Sequence, residues 1–230
     1  MATSLNSNKR RQYAKLVAER KTCRLCAGLT NPSCAKLRKL DSDEVGPWTL
    51  LFGDLDADVL VVGQDWGDVS YFQRNQGRDD PRTPTNRNLL QIMQKSGLIG
   101  PSKNPSGPTV KMFWTNAILC LKDGGLQAKV KQEWFHNCGM SFLRRQIEIV
   151  RPRAVVGLGA KAFQSCLNAF SKERISLSEA INDRDGIELV AGVRLFAAYH
   201  CGARTLAINR SLDQQVGDWK RIAKFIARAN

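Results

Sequence analysis

Acidic residues are scarce in this 230-residue chain: 21 Asp and Glu stand against 35 Lys and Arg, for a formal net charge of +14. That surplus favours a polyanionic partner such as nucleic acid, although a solvated surface with a basic tail would give the same balance. Histidine is scarcer still, with only His136 and His200 available for any imidazole chemistry. No apolar run approaches the ~20 residues that a membrane-spanning helix needs. None follows the basic residues of segment 1–11 as a secretory signal would require. These absences predict a cytoplasmic protein with no membrane partner. No internal repeat or clean domain boundary is present either. One domain over residues 1–230 is expected, with a basic N-terminal helix and a Cys-containing segment inside residues 1–40. A chain this long buries roughly 70% of its unfolded surface and can build a core without disulfides.

The charge is unevenly spread. Residues 1–40 carry ten basic side chains and one acid, Glu19, whereas residues 41–70 carry eight acids and no base. The seven cysteines are an odd set, which makes a disulfide framework a poor explanation. Cys23 and Cys26 form a C-x2-C pair, and Cys120 and Cys138 follow far downstream, so four thiolates from two distant segments could close round a metal. Burial as small apolar side chains is the alternative. Cys34 could replace one ligand, while Cys166 and Cys201 read as unligated thiols.

Four apolar segments have strand length: 58–66 (DVLVVGQDW), 113–120 (FWTNAILC), 153–159 (RAVVGLG) and 194–200 (RLFAAYH). Helical patterns lie between them at 86–96, 132–150 and 160–170, with a basic helix over 9–21 and a last helix carrying Val216, Trp219, Ala223 and Ile226 on one stripe. The Pro- and Gly-punctuated stretch 97–108 reads as a loop. Gly157-Leu158-Gly159 lacks the remaining residues of a phosphate loop and reads as tight strand-to-helix packing. Trp114, Trp134 and Trp219 suit the core. The alternation predicts an α/β fold, three αβα layers around a central four-stranded, mainly parallel sheet.

In open parallel sheets, ligands bind at the carboxyl ends of the strands. Here the first strand ends in Gly63-Gln64-Asp65-Trp66-Gly67, the second contains Asn116 and ends at Cys120, and the fourth ends at His200-Cys201-Gly202. An acid, an amide and an imidazole can converge on one rim. Taken singly, such an Asp or Asn is more often a turn or cap residue.

The joint pattern resembles the uracil-DNA glycosylase superfamily, especially its iron-sulfur branch of the family 4 type. The resemblance spans residues 20–225 and includes the Cys-helix-Arg-Pro-strand passage 138–159 (CGMSFLRRQIEIVRPRAVVGLG). It implies that Cys23, Cys26, Cys120 and Cys138 hold a 4Fe-4S cluster, with Zn the rival because both accept four thiolates. The first motif mixes two patterns, Gly-Glu-Ala-Pro-Gly of the iron-sulfur branch and Gly-Gln-Asp-Pro-Tyr of family 1. By that correspondence Asp65 positions water and stabilises a cationic sugar, Asn116 reads the uracil edge, and His200 bonds the pyrimidine O2. Gly63, Gln64 and Trp66 would complete the base pocket, and Arg204 lies where the family places its wedge loop.

Three departures stand out. The family's His-Pro-Ser reads His200-Cys201-Gly202. Gly67 replaces the Tyr by which family 1 enzymes exclude thymine. The region around Arg82 lacks the stacking aromatic, for which Tyr71 or Phe72 would substitute. The implied activity is removal of uracil or a related deaminated base from single- or double-stranded DNA by a monomer. A nucleic-acid-binding protein of the same fold with little activity is the alternative, and a Zn-stabilised nucleoside hydrolase is a third reading.

Overall fold

The computed structural model describes residues 2–45, 53–100, 110–125 and 128–228. In chain order the elements are α1 (Ala2–Thr22), β1 (Leu29–Thr30), β2 (Val59–Gly63), α2 (Val69–Arg74), α3 (Pro84–Ser96), β3 (Met112–Asn116), β4 (Leu121–Lys122), α4 (Gln132–Cys138), α5 (Arg144–Val150), β5 (Ala154–Leu158), α6 (Ala160–Ala169), α7 (Leu177–Ala180), β6 (Ile187–Val190), β7 (Val193–Ala198), α8 (Ala203–Ile208) and α9 (Leu212–Ala227).

The main sheet has the order β3-β2-β5-β7-β6. All four expected strands are present and mutually parallel, in the pairs β2–β3, β2–β5 and β5–β7, although β3 stops at Asn116 and does not reach the expected Cys120. A fifth strand, β6, runs antiparallel at the edge and joins β7 through a tight turn at Gly192. Its sequence, Ile-Glu-Leu-Val, is short and half-exposed, which leaves little apolar pattern to read. Glu188 pairs with Arg194 across the hairpin at 3.1 Å.

Alternation along the central strands sorts side chains into two layers. Leu60, Val62, Phe113, Val155 and Leu195 face α1, the α4–α5 helix and α6. Val59, Val61, Trp114 and Val156 face α3 and α9, where Trp219 is fully buried. The helix expected over 132–150 is continuous, with a single π-helical turn at Gly139–Leu143 between α4 and α5. Its stripe of Phe135, Cys138, Phe142 and Ile149 is buried as expected. A Cβ at Gly157 would lie 2.5 Å from Phe163 Cα, so that glycine serves close packing of α6 on β5.

α3 starts at Pro84 behind an N-capping Thr83 and stops at Gly97, in the left-handed conformation. The loop expected over 97–108 falls largely on residues 101–109, which lie outside the described residues. α1 buries Tyr13, Leu16, Val17 and Arg20, a stripe at helical spacing. Arg20 is charged and 1% exposed; it pairs with Asp41 at 2.7 Å and donates to the carbonyls of Ser42 and Glu44, while its Nε has no partner among the described residues. Segment 31–45 is thereby tied to α1. No helix among the described residues is long and apolar enough to cross a membrane.

Candidate active site

β2 and β3 end in register, Gly63 opposite Asn116, while His200 follows two residues after β7. Together they open onto one cleft of about 420 Å³, lined by Gly63, Gln64, Asp65, Trp66, Asn116 and His200. The acid, amide and imidazole expected at the rim do share one cavity.

Each is held differently. After β2 the chain turns at Gly67, whose φ of 96° suits only glycine, and this brings the Gly67 N–H to Asp65 Oδ1 at 2.8 Å. Gln64 Nε2 donates to Asp65 Oδ2 at 2.7 Å, and Lys122 Nζ lies 3.2 Å from both carboxylate oxygens. Asn116 is 1% exposed, and its Nδ2 has no hydrogen-bond partner among the described residues. A buried amide donor left unpaired is costly, so a ligand carbonyl there would recover that cost. A Cβ on Gly63 would sit 2.3 Å from Asn116 Oδ1, so glycine is what admits the amide.

His200 stands at the cleft mouth, with solvent on one side and protein on the other flanks. Desolvation by that protein holds its pKa below the ordinary value, against the opposing pull of the Asp65 carboxylate. Its Nδ1 accepts from the Gly202 N–H at 3.1 Å, which assigns the proton of the neutral ring to Nε2. The His200 loop is pinned by Asn88 Nδ2 donating to the Cys201 carbonyl at 2.9 Å and by Gln215 Nε2 donating to the His200 carbonyl at 3.3 Å.

The two candidate stacking aromatics part company. Tyr71 lines the cleft and donates its hydroxyl to Asp79 Oδ1 at 2.7 Å. Phe72 does not line it: this ring is 2% exposed and packs against Trp66, with a centroid separation of 5.2 Å. Consecutive residues on the short helix α2 point in different directions, so only one of the pair can face the cleft. Trp66 lines the cleft but is 4% exposed, with its Nε1 unpartnered among the described residues. Arg204 is exposed on α8, directly after the His200 loop.

Sequence reasoning missed Lys122, Asp79 and Asn86. Asp79 accepts from Tyr71 and from Asn86 Nδ2 at 2.7 Å, and burial raises its pKa against those two bonds. The polar run 78–86, leading into the first turn of α3, was the available signal for Asp79 and Asn86. Lys122 carried none.

The cysteines expected to act together also meet. Cys23, Cys26, Cys120 and Cys138 line a second cavity of about 280 Å³, with Cys34 at its wall. Among the described residues, no group of three or more His, Cys, Asp or Glu side chains is arranged to hold a metal ion. All seven cysteines are free thiols. Burial pushes Cys120 up to about 12. Hydrogen bonds from Cys138 and Asn137 lower Cys26.

A doubly wound parallel sheet with a polar cleft at its carboxyl rim is an architecture built for small-ligand chemistry. Residues 51–216 match the family model described as Uracil DNA glycosylase superfamily, and the chain belongs to that superfamily. It is 31% identical over 162 residues to the Type-5 uracil-DNA glycosylase of Pyrobaculum aerophilum. The match covers 68% of this chain and 64% of that protein, so the chain spans just under two thirds of the relative's length. That relative carries a type-5 name, whereas the cysteine pattern was read as closest to the family 4 type.

Proposed function

We propose that this protein is a monomeric, single-domain DNA glycosylase that hydrolyses the N-glycosidic bond of uracil, or of a related deaminated base, and leaves an abasic site in DNA. The observation that carries the reading is the meeting of Asp65, Asn116 and His200 in one cleft. Breaking the bond leaves positive charge on the sugar and negative charge on the base, so the site must stabilise both signs. Asp65 supplies a fixed carboxylate for the sugar. His200 supplies a neutral ring with its Nε2 proton available to the base oxygen. A neutral donor is apt there, because it strengthens its bond as charge develops without neutralising Asp65 beforehand. The Asn116 amide matches an imide edge, its Nδ2 donating to a carbonyl and its Oδ1 accepting the ring N–H.

The base must leave the stack to reach this cleft, at a cost of a few kcal/mol. The basic surface and the exposed Arg204 beside the His200 loop would offset that cost. Trp66, Gln64 and Tyr71 would wall the base pocket, and Tyr71, fixed by Asp79, is the aromatic available to stack.

The thiol-lined cavity suits a four-thiolate group. Cys23, Cys26, Cys120 and Cys138 would hold a 4Fe-4S cluster, with Zn the alternative because both accept four thiolates. Bound there, it would cross-link the N-terminal segment to β4 and take no part in bond cleavage. Iron, sulfide and zinc analysis of anaerobically purified protein distinguishes the two.

The test of activity is incubation with single- and double-stranded oligonucleotides carrying uracil, hypoxanthine or xanthine, followed by alkaline cleavage. Strand scission at uracil is expected. Asp65→Asn and His200→Ala should keep DNA affinity and lose about 100-fold or more in turnover, the scale of one removed transition-state donor. Salt-sensitive binding with no abasic product from any of these substrates would instead identify a binding protein.

A further inference from the structure

We infer that Lys122 is a positioning residue for Asp65, and that it transmits the order of the cysteine-lined segment to the cleft. This rests on the glycosylase reading for its consequence and on geometry alone for its substance. The side chains of Lys122 and Asp65 are 5% and 9% exposed, and the ammonium lies 3.2 Å from each carboxylate oxygen. A carboxylate has about four lone-pair positions. Those of Asp65 are met by two contacts from Lys122, one from Gln64 Nε2 and one from the Gly67 N–H. Its acceptor capacity is filled. Asp65 therefore serves as an oriented negative charge and not as a base that takes a proton from water, since a water would have to displace one of these donors.

Of the four contacts, only the Lys122 pair comes from outside segment 64–67. Gln64 and Gly67 move with the turn that carries Asp65, so they cannot fix that turn relative to the rest of the cleft. Lys122 can. It sits on β4, which pairs antiparallel with β1, Leu29 opposite Lys122 and Thr30 opposite Leu121. β1 lies between Cys26 and Cys34, and β4 begins immediately after Cys120. The Lys122 N–H also donates to the Gly67 carbonyl at 3.3 Å. One short strand thus joins the thiol-lined cavity to both the backbone and the side chain of the turn bearing Asp65. At this burial, the ammonium is not a surface cation awaiting a DNA phosphate.

The test is a double-mutant cycle on single-turnover cleavage of a uracil oligonucleotide. Lys122→Gln should slow cleavage by about 100-fold, comparable to loss of one preorganised charge contact, with oligonucleotide affinity changed less than about threefold. Lys122→Arg should recover part of the rate. Because Lys122 acts through Asp65, Asp65→Asn/Lys122→Gln should be no slower than Asp65→Asn alone. Additive losses overturn the inference, as does Lys122→Gln cleaving at the wild-type rate. A crystal structure of Lys122→Gln supplies a readout independent of turnover, in which the Asp65 carboxylate should leave its present position. If Lys122→Gln does not fold, the crystal structure of Asp65→Asn/Lys122→Gln, which leaves no unpaired charge, should show the 64–67 turn displaced. An unmoved turn or carboxylate overturns the inference. Wild-type protein that leaves every uracil substrate intact would refute the glycosylase reading, and the crystal structures would still decide the role of Lys122.

Discussion

His200 shows how one hydrogen bond sets a chemical role. With its Nδ1 occupied by the Gly202 N–H, the neutral ring carries its proton on Nε2. Protonation would place a second donor against that N–H and break the contact. Desolvation already disfavours the charged ring. The sign of the pH effect follows: the folded-state pKa lies below the unfolded value, so the unfolded chain takes up the proton first as pH falls. The contribution of His200 to stability is complete above about pH 6.5, the ordinary histidine value, and is lost as pH falls toward the depressed folded pKa. Turnover depends on the native ring alone, so it should hold through pH 6.5 and fall only around the depressed folded pKa. An NMR titration of the His200 ring beside the pH–rate profile checks this, and a midpoint at or above 6.5 would contradict it.

At this scale the sequence was informative where a functional residue follows a strand. Asp65 and His200 were legible because the ends of β2 and β7 are marked by a change from apolar to polar residues, whereas Asn116 sits inside the apolar run 113–120 and only the family resemblance singled it out. Lys122 was not, since nothing local distinguishes it from the exposed lysines. Phe72 and Tyr71 are chemically similar neighbours, and only the orientation of α2 separates the buried ring from the one in the cleft.

Among the elements, α1 depends on a buried ion pair. Arg20 and Asp41 are 1% and 2% exposed at the side chain, and Arg20 also lines the cysteine cavity. Removing the guanidinium would leave the Asp41 charge without its counter-ion, though still hydrogen-bonded by Ser33 and Ser42, and would strand the carbonyls of Ser42 and Glu44. Breaking a buried pair of this kind costs about 3–5 kcal/mol, and Arg20→Ala should lower unfolding free energy by that order in a urea titration. A change below about 1 kcal/mol, the range of surface pairs, would show that the network is not holding segment 31–45. The longer helices were readable from periodicity, whereas the short α2, α7 and α8 were not. Strand β6 was not, because four residues on a sheet edge alternate only twice.

Across the whole molecule, electrostatics governs the encounter with DNA. A net charge of +14 makes binding by phosphate neutralisation expected, with affinity falling as salt rises. Arg204, exposed beside the His200 loop, should contribute one such contact. Arg204→Ala should weaken binding of damaged and undamaged DNA alike and reduce the magnitude of the log–log salt slope by about 1. Fluorescence anisotropy over a salt series measures both, and an unchanged slope would remove Arg204 from the interface.

The amino-acid order by itself determined the parallel strands, the helix stripes, the two cysteine pairs and the polar groups that follow the first and fourth strands. These are encoded within a few residues, through alternation, helical spacing and the polarity change at an element's end. Tertiary structure decided the rest: the lysine that clamps Asp65, the shared cavity of four distant thiols, and the ring that turns inward. Each is a meeting of segments far apart in the chain, and such meetings are set by how sheet, helices and turns pack, which no local pattern carries.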